Sequence, residues 1–381
     1  VSLIAFIGSD ARKNRSSRLG RLGRNVRAAL AALALLVLPA VIGTAAAQTP
    51  SMLDEPVTQT SAGLFHTCAL TTAGAVKCWG RNDSGQLGDN STTQALTPVN
   101  VVGLGSGVAV ISAGVYHTCA LSTAGAVKCW GRNDFGQLGD NSTTHRLTPV
   151  DVVSLGSGVA AISAGAFYTC ALTTAGAVKC WGRNDFGQLG DSSTTQRLTP
   201  VDVVGLGSGV AAISAGGNHA CALTTVGAVR CWGRNIEGQL GDNSTTQRLT
   251  PINVTGLGSG VAAISAGGFH TCSLITTGAV KCWGNNAYGQ LGDGSTTDRL
   301  TPVNVINLGS GVAAISTGQS HACALTNGGA VKCWGRNTNG QLGDNSTTQR
   351  LTPVDVVSLG SGVAAISTGE RHTCALTTAG A

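Results

Sequence analysis

From Val57 to the end of the chain, short apolar stretches alternate with polar turns at a regular spacing. The first such stretches are residues 66–71, 75–80, 96–102 and 108–112, and Gly, Ser, Thr and Asn separate them. Each contains β-branched residues, and no window keeps an apolar period of 3.6 residues over the length of a helix. The pattern predicts an all-β fold made of short, turn-bounded strands.

These stretches belong to a unit that repeats every 51 residues without an insertion. Six full units cover 57–107, 108–158, 159–209, 210–260, 261–311 and 312–362, and a seventh occupies 363–381. Four short strands per unit are typical of a propeller blade. A β-solenoid normally has shorter coils, and separate domains of 51 residues could hardly build a core each. We therefore predict one β-propeller at 57–381 whose last blade is truncated.

One motif recurs in each of the six full units, and residues 114–140 are an example. The pattern is G-x-x-H-T-C-A-L-x5-G-A-V-K-C-W-G-R-N-x-x-G-Q-L-G-D, and its W-G and G-Q-L-G elements occur six times. It resembles the repeat of the regulator of chromosome condensation family, over about 85% of the chain from Val57 onward. The resemblance implies a seven-bladed propeller. WD and kelch propellers fit less well, because no Trp-Asp pair ends a strand and no Gly doublet recurs in every copy.

The cysteines occur in pairs ten residues apart, one pair in each full unit. If the first hairpin turns at Ala73, Cys68 faces Cys78 across neighbouring strands, where a disulfide can form. A metal site built from His66 and these two cysteines is the alternative, but Tyr168 replaces the histidine in a unit that keeps both cysteines. We predict six disulfides and a free thiol at Cys374, and no metal. The disulfide cysteines are Cys68, Cys78, Cys119, Cys129, Cys170, Cys180, Cys221, Cys231, Cys272, Cys282, Cys323 and Cys333.

The first 47 residues differ from the repeats and read as an export signal. Residues 12–27 are rich in Arg, residues 28–43 carry no charge, and Ala45 and Ala47 fit an A-x-A cleavage site. A membrane anchor is the weaker alternative, since 16 apolar residues interrupted by Pro39 are short for a span. We expect a signal peptide at 1–47, a linker at 48–56, a secreted or cell-surface protein, and no stable membrane span after cleavage.

The net charge of +6 does not indicate a nucleic-acid partner. Seven of the 24 Lys and Arg residues and one of the 18 Asp and Glu residues lie in 1–47, so the rest of the chain carries 17 of each sign. Nucleic-acid binding needs a basic face. A hydrophobic content of 42% with 11% charged residues also argues against disorder.

No catalytic site stands out, because almost every polar residue recurs in six or seven copies, whereas an active site is a singular constellation. We expect no enzyme activity and no cofactor. The repeated aspartates, such as Asp140, fit turn caps better than calcium ligands, which would need further acidic residues at alternating positions. The repeated histidines are expected to form hydrogen bonds within their own blade.

Two residue pairs vary between copies, one before the histidine and one after W-G-R-N, and the hairpin register places both at the same end of the blade. Seven of the nine Phe and Tyr residues lie there. Equivalent positions hold Arg371, Glu237 and Asn218, which a core would not accept. We predict an exposed binding rim. Its candidate residues are Phe65, Tyr116, Phe135, Phe167, Phe186, Glu237, Phe269, Tyr288 and Arg371.

The sequence thus predicts an exported, non-enzymatic propeller that binds an unidentified protein partner through this rim. The family resemblance implies two alternatives. One is guanine-nucleotide exchange on a small GTPase, which export and the lack of an inserted β-wedge oppose. The other is inhibition of a secreted enzyme, as in a β-lactamase inhibitor of this fold.

Overall fold

The computed structural model describes residues 55–378 and the backbone of residues 3–6. All regular elements in this part of the chain are β-strands, which form six sheets of four strands and one sheet of three. Each four-stranded sheet is antiparallel and follows the chain order. The predicted all-β propeller is confirmed.

Blade 1 shows how the repeat folds. Its strands are β2 (Val57–Ala62), β3 (His66–Thr71), β4 (Val76–Gly80) and β5 (Ala95–Asn100). The β3–β4 turn is tight because Gly74 adopts a φ of 78°. Gly80, with a φ of 106°, lets β4 end against the loop between β2 and β3, since a Cβ there would lie 2.4 Å from the Phe65 carbonyl oxygen.

Blades 2 to 6 repeat this arrangement. Blade 2 contains β6 (Val108–Ala113), β7 (His117–Ser122), β8 (Val127–Gly131) and β9 (Arg146–Asp151). Blade 3 contains β10 (Val159–Ala164), β11 (Tyr168–Thr173), β12 (Val178–Gly182) and β13 (Arg197–Asp202). Blade 4 contains β14 (Val210–Ala215), β15 (His219–Thr224), β16 (Val229–Gly233) and β17 (Arg248–Asn253). Blade 5 contains β18 (Val261–Ala266), β19 (His270–Ile275), β20 (Val280–Gly284) and β21 (Arg299–Asn304). Blade 6 contains β22 (Val312–Thr317), β23 (His321–Thr326), β24 (Val331–Gly335) and β25 (Arg350–Asp355).

The count of seven blades needs a correction, because the structure has six four-stranded blades. The remaining repeat residues form only a hairpin of β26 (Val363–Thr368) and β27 (Thr373–Thr377), too few strands for a blade. The third strand of this sheet is β1 (Leu3–Phe6), which pairs with β27. The hairpin contacts blade 6 through Ser316 Oγ and Thr368 Oγ1, 2.7 Å apart. It contacts blade 1 through the Ala62 amide, which donates to Ser367 Oγ at 3.0 Å.

Most of the predicted leader lies outside the described residues. The proposed cleavage site after Ala47 and nearly all of the linker at 48–56 also lie outside the described residues. The backbone register of β1 places Ala5 opposite Cys374, the position that a second cysteine occupies in the six full units.

The blades pack face to face through clusters that each combine two successive repeats. In one cluster, Cys68, Leu70 and Leu87 of blade 1 pack against Trp130 of blade 2. The indole nitrogen of Trp130 donates to the Gln86 carbonyl at 3.0 Å, and the four following tryptophans make the equivalent bond. Trp79 is partly exposed, because no Gly-Gln-Leu-Gly loop among the described residues packs on it.

The predicted disulfide ladder is confirmed. Cys68 faces Cys78 in the register of β3 and β4, and the same pairing recurs in all six blades. These cysteines are at most 1% exposed. Cys374 is buried and unpaired, and burial raises the pKa of its thiol to about 12.

The repeated histidines bond to the neighbouring blade, so the expected bonds within a blade are wrong. His66 Nε2 lies 2.9 Å from Thr118 Oγ1, and that hydroxyl donates to the Gln86 carbonyl at 3.0 Å. The threonine proton is thereby used, so His66 Nε2 must carry the hydrogen and donate. Five such histidine–threonine contacts link the blades, and the one between His372 and Thr67 joins the hairpin to blade 1.

Two blades have alanine in place of this threonine, with different results. Ala220 faces Tyr168, whose hydroxyl donates instead to the His219 carbonyl. Ala322 faces His270, and both ring nitrogens of His270 are buried without a partner. A buried polar group without a partner costs about 1 to 3 kcal/mol.

Replacing His270 with Tyr should therefore stabilise the chain, by about 1 kcal/mol, because it recreates the Tyr168 arrangement. Gly267 precedes this position as Gly165 precedes Tyr168, which leaves room for the ring. The matched control is His66→Tyr, which should destabilise the folded chain, because the fully buried Thr118 occupies the space that the larger tyrosine ring would need. Urea unfolding measures both free energies, and equal effects of the two substitutions would contradict this explanation.

Candidate functional site: an arginine and aromatic rim around a central channel

The loops before the second strand and after the third strand of each blade meet at one end of the propeller. In blade 2, His117 pairs with Gly131, and the Arg132 amide donates to the Tyr116 carbonyl at 3.0 Å. The same backbone bond joins Arg81 to Phe65 and Arg183 to Phe167. The residues before the histidine therefore lie beside those after W-G, as the hairpin register predicts.

The arginines of W-G-R-N alternate with the aromatic residues around this rim. The Arg132 guanidinium lies 5.1 Å from the Tyr116 ring centroid and 5.3 Å from that of Phe167. Arg183 lies 5.1 Å from Phe135 and 5.8 Å from Phe167. These distances are typical of cation–π contacts. Each arginine thus bridges aromatic rings of neighbouring blades.

The contacts form one continuous chain over more than half of the rim, which we call the arginine–aromatic belt. Phe135 packs beside it through an edge contact with Phe167, at 5.5 Å between ring centroids. In order, the belt runs through Arg371, Phe65, Arg81, Tyr116, Arg132, Phe167, Arg183, Phe186, Arg234 and Phe269.

The belt is interrupted in blade 5, where Asn285 replaces the arginine. Tyr288 therefore contacts only Arg336, at 5.2 Å from the ring centroid, and this pair stands apart from the belt. Glu237 lies in the second variable pair of blade 4 and binds Arg234 at 2.8 Å.

None of the nine candidate rim residues is fully buried. Phe65 and Arg371 are exposed, and the other seven are half-buried, packed on one side by the arginines. The structure thus places all nine at one end of the propeller, and it joins six of them directly in the belt. Phe135 contacts Arg183 and Glu237 binds Arg234, both of the belt, whereas Tyr288 belongs to the separate pair with Arg336.

The charge along the rim is uneven. In blades 1 to 3 the arginine pairs with an aspartate two residues later, such as Arg183 with Asp185 at 2.6 Å. Arg336 instead donates to the Thr338 hydroxyl at 3.0 Å. Within residues 55–378, neither Arg336 nor Arg371 forms an ion pair with a carboxylate. The rim is therefore balanced over blades 1 to 4 and cationic near blade 6 and the hairpin.

A buried network holds the rim loops in place. Asn133 accepts the Leu138 amide and donates to Asp140 at 3.0 Å, and the Ser142 amide donates to the same carboxylate. Burial raises the pKa of Asp140, but the hydrogen bonds from Arg146, Ser142 and Asn133 outweigh it and leave the pKa below its usual range. The carboxylate stays charged and caps the turn. The described residues hold no cluster of His, Cys, Asp and Glu suited to a metal ion.

A central channel opens in the middle of the same end. Seven segments line it, one from each blade and one from the hairpin, and each has the form Ala/Thr-Gly-x. The x residue is the first member of the pair before the histidine. These residues are Leu64, Val115, Ala166, Gly217, Gly268, Gln319 and Glu370.

The rim arginines were missed by the sequence reasoning. Because Arg81 and its equivalents recur in five of the six W-G motifs, they read as structural residues. The available signal was their position directly after the end of the third strand and two residues before the second variable pair, with the buried Asn82 or its equivalent between them. Reading invariant and variable neighbours together would have found the belt.

In the described part of the chain, no helical segment has the length and apolar character needed to cross a membrane.

The chain is similar to proteins of several eukaryotes. It is 35% identical over 324 residues to the ultraviolet-B receptor UVR8 of Arabidopsis thaliana, covering 83% of this chain and 74% of that protein. It is 34% identical to the human E3 ubiquitin-protein ligase HERC2 over 268 residues, which are 68% of this chain and 6% of HERC2.

Solved structures show the same fold. Human WBSCR16 superposes with a TM-score of 0.77 at 25% identity, over 86% of this chain and 88% of that one. Yeast RCC1 (Prp20), bound to Kap60, gives a TM-score of 0.74 at 21% identity over 85% and 81%.

A family profile described as the RCC1-like domain matches residues 13–306 and 105–381. Together with the relatives above, this match confirms the family indicated by the repeated motif. The chain belongs to the RCC1-like domain family of β-propellers.

Proposed function

We propose that this chain is an exported, non-enzymatic binding protein whose arginine–aromatic rim docks a protein partner. The observation that carries the proposal is the belt itself. Arginine and aromatic residues are enriched where proteins bind one another, and they supply most of the anchor residues. Here they are stacked on each other, partly exposed and held by a buried network, so little side-chain freedom is lost on binding.

The rim chemistry also suggests what the partner presents. Over blades 1 to 4, each arginine already has an acidic neighbour, so the surface offers flat aromatic faces and balanced charge. Near blade 6 and the hairpin, Arg336 and Arg371 are free to pair with a carboxylate. We therefore propose a partner surface with apolar groups over blades 1 to 4 and an acidic group opposite these two arginines.

Export is supported by the six intrablade disulfides and by the sequence of residues 1–47. Disulfides persist in oxidising compartments and are rare in the cytosol. The relatives named above include an ultraviolet-B receptor and a ubiquitin ligase, and nothing on the rim favours transfer of either activity. Inhibition of an exported enzyme is the alternative form of this proposal. Identifying the partner distinguishes the two, because an inhibitor would have an enzyme as its partner.

The test uses the substitutions Phe135→Ala, Phe186→Ala and Tyr288→Ala together. Loss of interface anchors typically costs 2 kcal/mol or more, so binding to a partner from the extracellular medium should weaken by about thirtyfold or more. Stability should fall by only about 1 kcal/mol for each half-buried ring. Affinity measured by calorimetry and the free energy of unfolding separate the two effects.

The matched control changes three exposed aliphatic residues at the opposite end of the blades, Val102→Ala, Val153→Ala and Val204→Ala. These variants should bind like the unsubstituted chain. Full binding by the rim variant, or equal loss in both variants, would remove the basis for this proposal.

A further inference from the structure

The wall of the central channel is chemically divided. Blades 1 to 3 contribute the apolar side chains of Leu64, Val115 and Ala166, whereas blades 4 and 5 contribute glycines without side chains. Blade 6 and the hairpin contribute Gln319 and Glu370. Glu370 is the single carboxylate among the lining residues. The channel is thus apolar on one side and carries hydrogen-bond acceptors on the other.

The channel backbone adds one further acceptor on each side. Interblade hydrogen bonds run around the axis, for example from the Gly268 amide to the Gly318 carbonyl at 3.1 Å and from the Glu370 amide to the Gly63 carbonyl at 3.3 Å. Among residues 55–378, two carbonyls of this ring accept no such bond, that of Gly114 on the apolar side and that of Gly369 on the polar side. Each lies against the preceding segment, since a Cβ on Gly63 would lie 2.5 Å from the Gly114 oxygen and one on Gly318 would lie 2.3 Å from the Gly369 oxygen.

We propose that this channel binds a primary ammonium group on an unbranched aliphatic stem. An ammonium has three hydrogens to donate, and the polar wall offers the Glu370 carboxylate, the Gln319 amide oxygen and the Gly369 carbonyl. The stem packs on the apolar wall. The cavity of about 130 Å³ is similar to the roughly 150 Å³ that holds a benzene molecule, so one such chain fits.

The acceptor set favours ammonium over guanidinium. A guanidinium is planar and binds best where two parallel acceptors face it, whereas an ammonium is a compact charge on a flexible four-carbon stem. The same chemistry is present in a free alkylamine and in a lysine side chain presented by a protein at the channel mouth. The proposal does not rest on the rim function, because a small amine needs no contact with the belt.

The charge of Glu370 adds a pH dependence. Burial raises the pKa of this carboxyl to about 7, and the neighbouring Arg371 opposes the rise. The other lining residues carry no titratable side chain. An alkylammonium stays protonated in this range, as lysine does. Its affinity should therefore increase from pH 6 to pH 8 as Glu370 loses its proton.

The test is a calorimetric titration of the full chain with n-butylammonium chloride, and n-butanol serves as the uncharged analogue. We expect saturable binding of n-butylammonium that is about tenfold or more tighter than that of n-butanol. Glu370→Gln should weaken it by about tenfold or more. Glu237→Gln is the matched control, because it removes a rim carboxylate outside the channel, and it should leave the affinity unchanged.

If Glu370→Gln fails to fold, the NMR chemical shift of the Glu370 carboxyl carbon in the unsubstituted chain provides the readout. Addition of n-butylammonium should change this chemical shift. Absence of saturable binding, equal binding of n-butanol, or unchanged affinity in Glu370→Gln would overturn the proposal. A short peptide with one lysine distinguishes the two sources of the ammonium group. If the peptide binds, a lysine side chain presented by a protein is supported. If n-butylammonium binds and the peptide does not, a free amine is supported. The triple rim variant should bind n-butylammonium normally, so failure of the rim proposal remains distinguishable.

Discussion

Lowering the pH from 7 to 5 is expected to destabilise the folded chain by about 10 kcal/mol. The cause is the set of buried histidines that link the blades. Burial lowers the pKa of five of them from 6.5 to about 3, and lowers that of His372 to about 4. The five are His66, His117, His219, His270 and His321.

The sign follows from proton binding. Between pH 6.5 and about 3, the unfolded chain binds protons on these imidazoles and the folded chain does not, so stability falls as the pH falls. Each histidine contributes up to about 1.4 kcal/mol per pH unit, and five contribute up to about 7 kcal/mol per unit. Since a domain is typically stable by only 5 to 15 kcal/mol, unfolding is expected between about pH 5 and 4.

Urea unfolding at a series of pH values measures this slope. The aspartates that cap the rim turns also favour the folded state when charged, but their lowered pKa values place their effect below about pH 3.8. The two contributions therefore separate by pH. His270→Tyr should lower the slope by one proton, and a free energy of unfolding that stays constant from pH 6.5 to 4.5 would show that the histidines are not held neutral.

Breaking the disulfides is expected to have the second large effect. Each bridge joins cysteines ten residues apart, and closing a loop of this length contributes about 2 to 3 kcal/mol in the chain-entropy description. Replacing one pair, Cys170 and Cys180, with Ala should cost about this amount. Complete reduction should unfold the chain, because six such losses exceed the usual stability of a domain.

The control for this substitution is Cys374→Ala, which removes a cysteine without a bridge. Thiol titration of the denatured, unreduced chain should find one thiol among the 13 cysteines. The native chain should react slowly, because burial raises the pKa of Cys374. More than one thiol in chain folded under oxidising conditions would mean that the ladder is incomplete.

The local structure of the blade was predictable because it depends on short-range rules. The Thr-Ala-Gly turn sets the hairpin register, and the register alone places Cys68 opposite Cys78 and Phe65 beside Arg81. The positions of the four strands followed from apolar patterning between Gly-rich turns. These features therefore follow from the sequence of a single repeat.

Contacts between blades were less accessible, since they join residues about 50 positions apart. The sequence shows that His66 and Thr67 recur, but only the packing of neighbouring blades shows that His66 bonds to Thr118. The blade count failed because residues 363–377 supply only the two strands β26 and β27, and the pairing of β1 with β27 joins residues far apart in the chain. The belt was seen only in part, because Arg132 is repeated whereas Tyr116 and Phe167 vary.

We expect the rim to be the surface that binds a partner. Radical footprinting of the chain, free and in complex with its captured partner, tests it residue by residue. We expect Phe65, Tyr116 and Phe167 to become protected while Val102, Val204 and Val357, exposed at the opposite end, stay equally reactive. Protection of those valines with unchanged reactivity of the rim aromatics would contradict it.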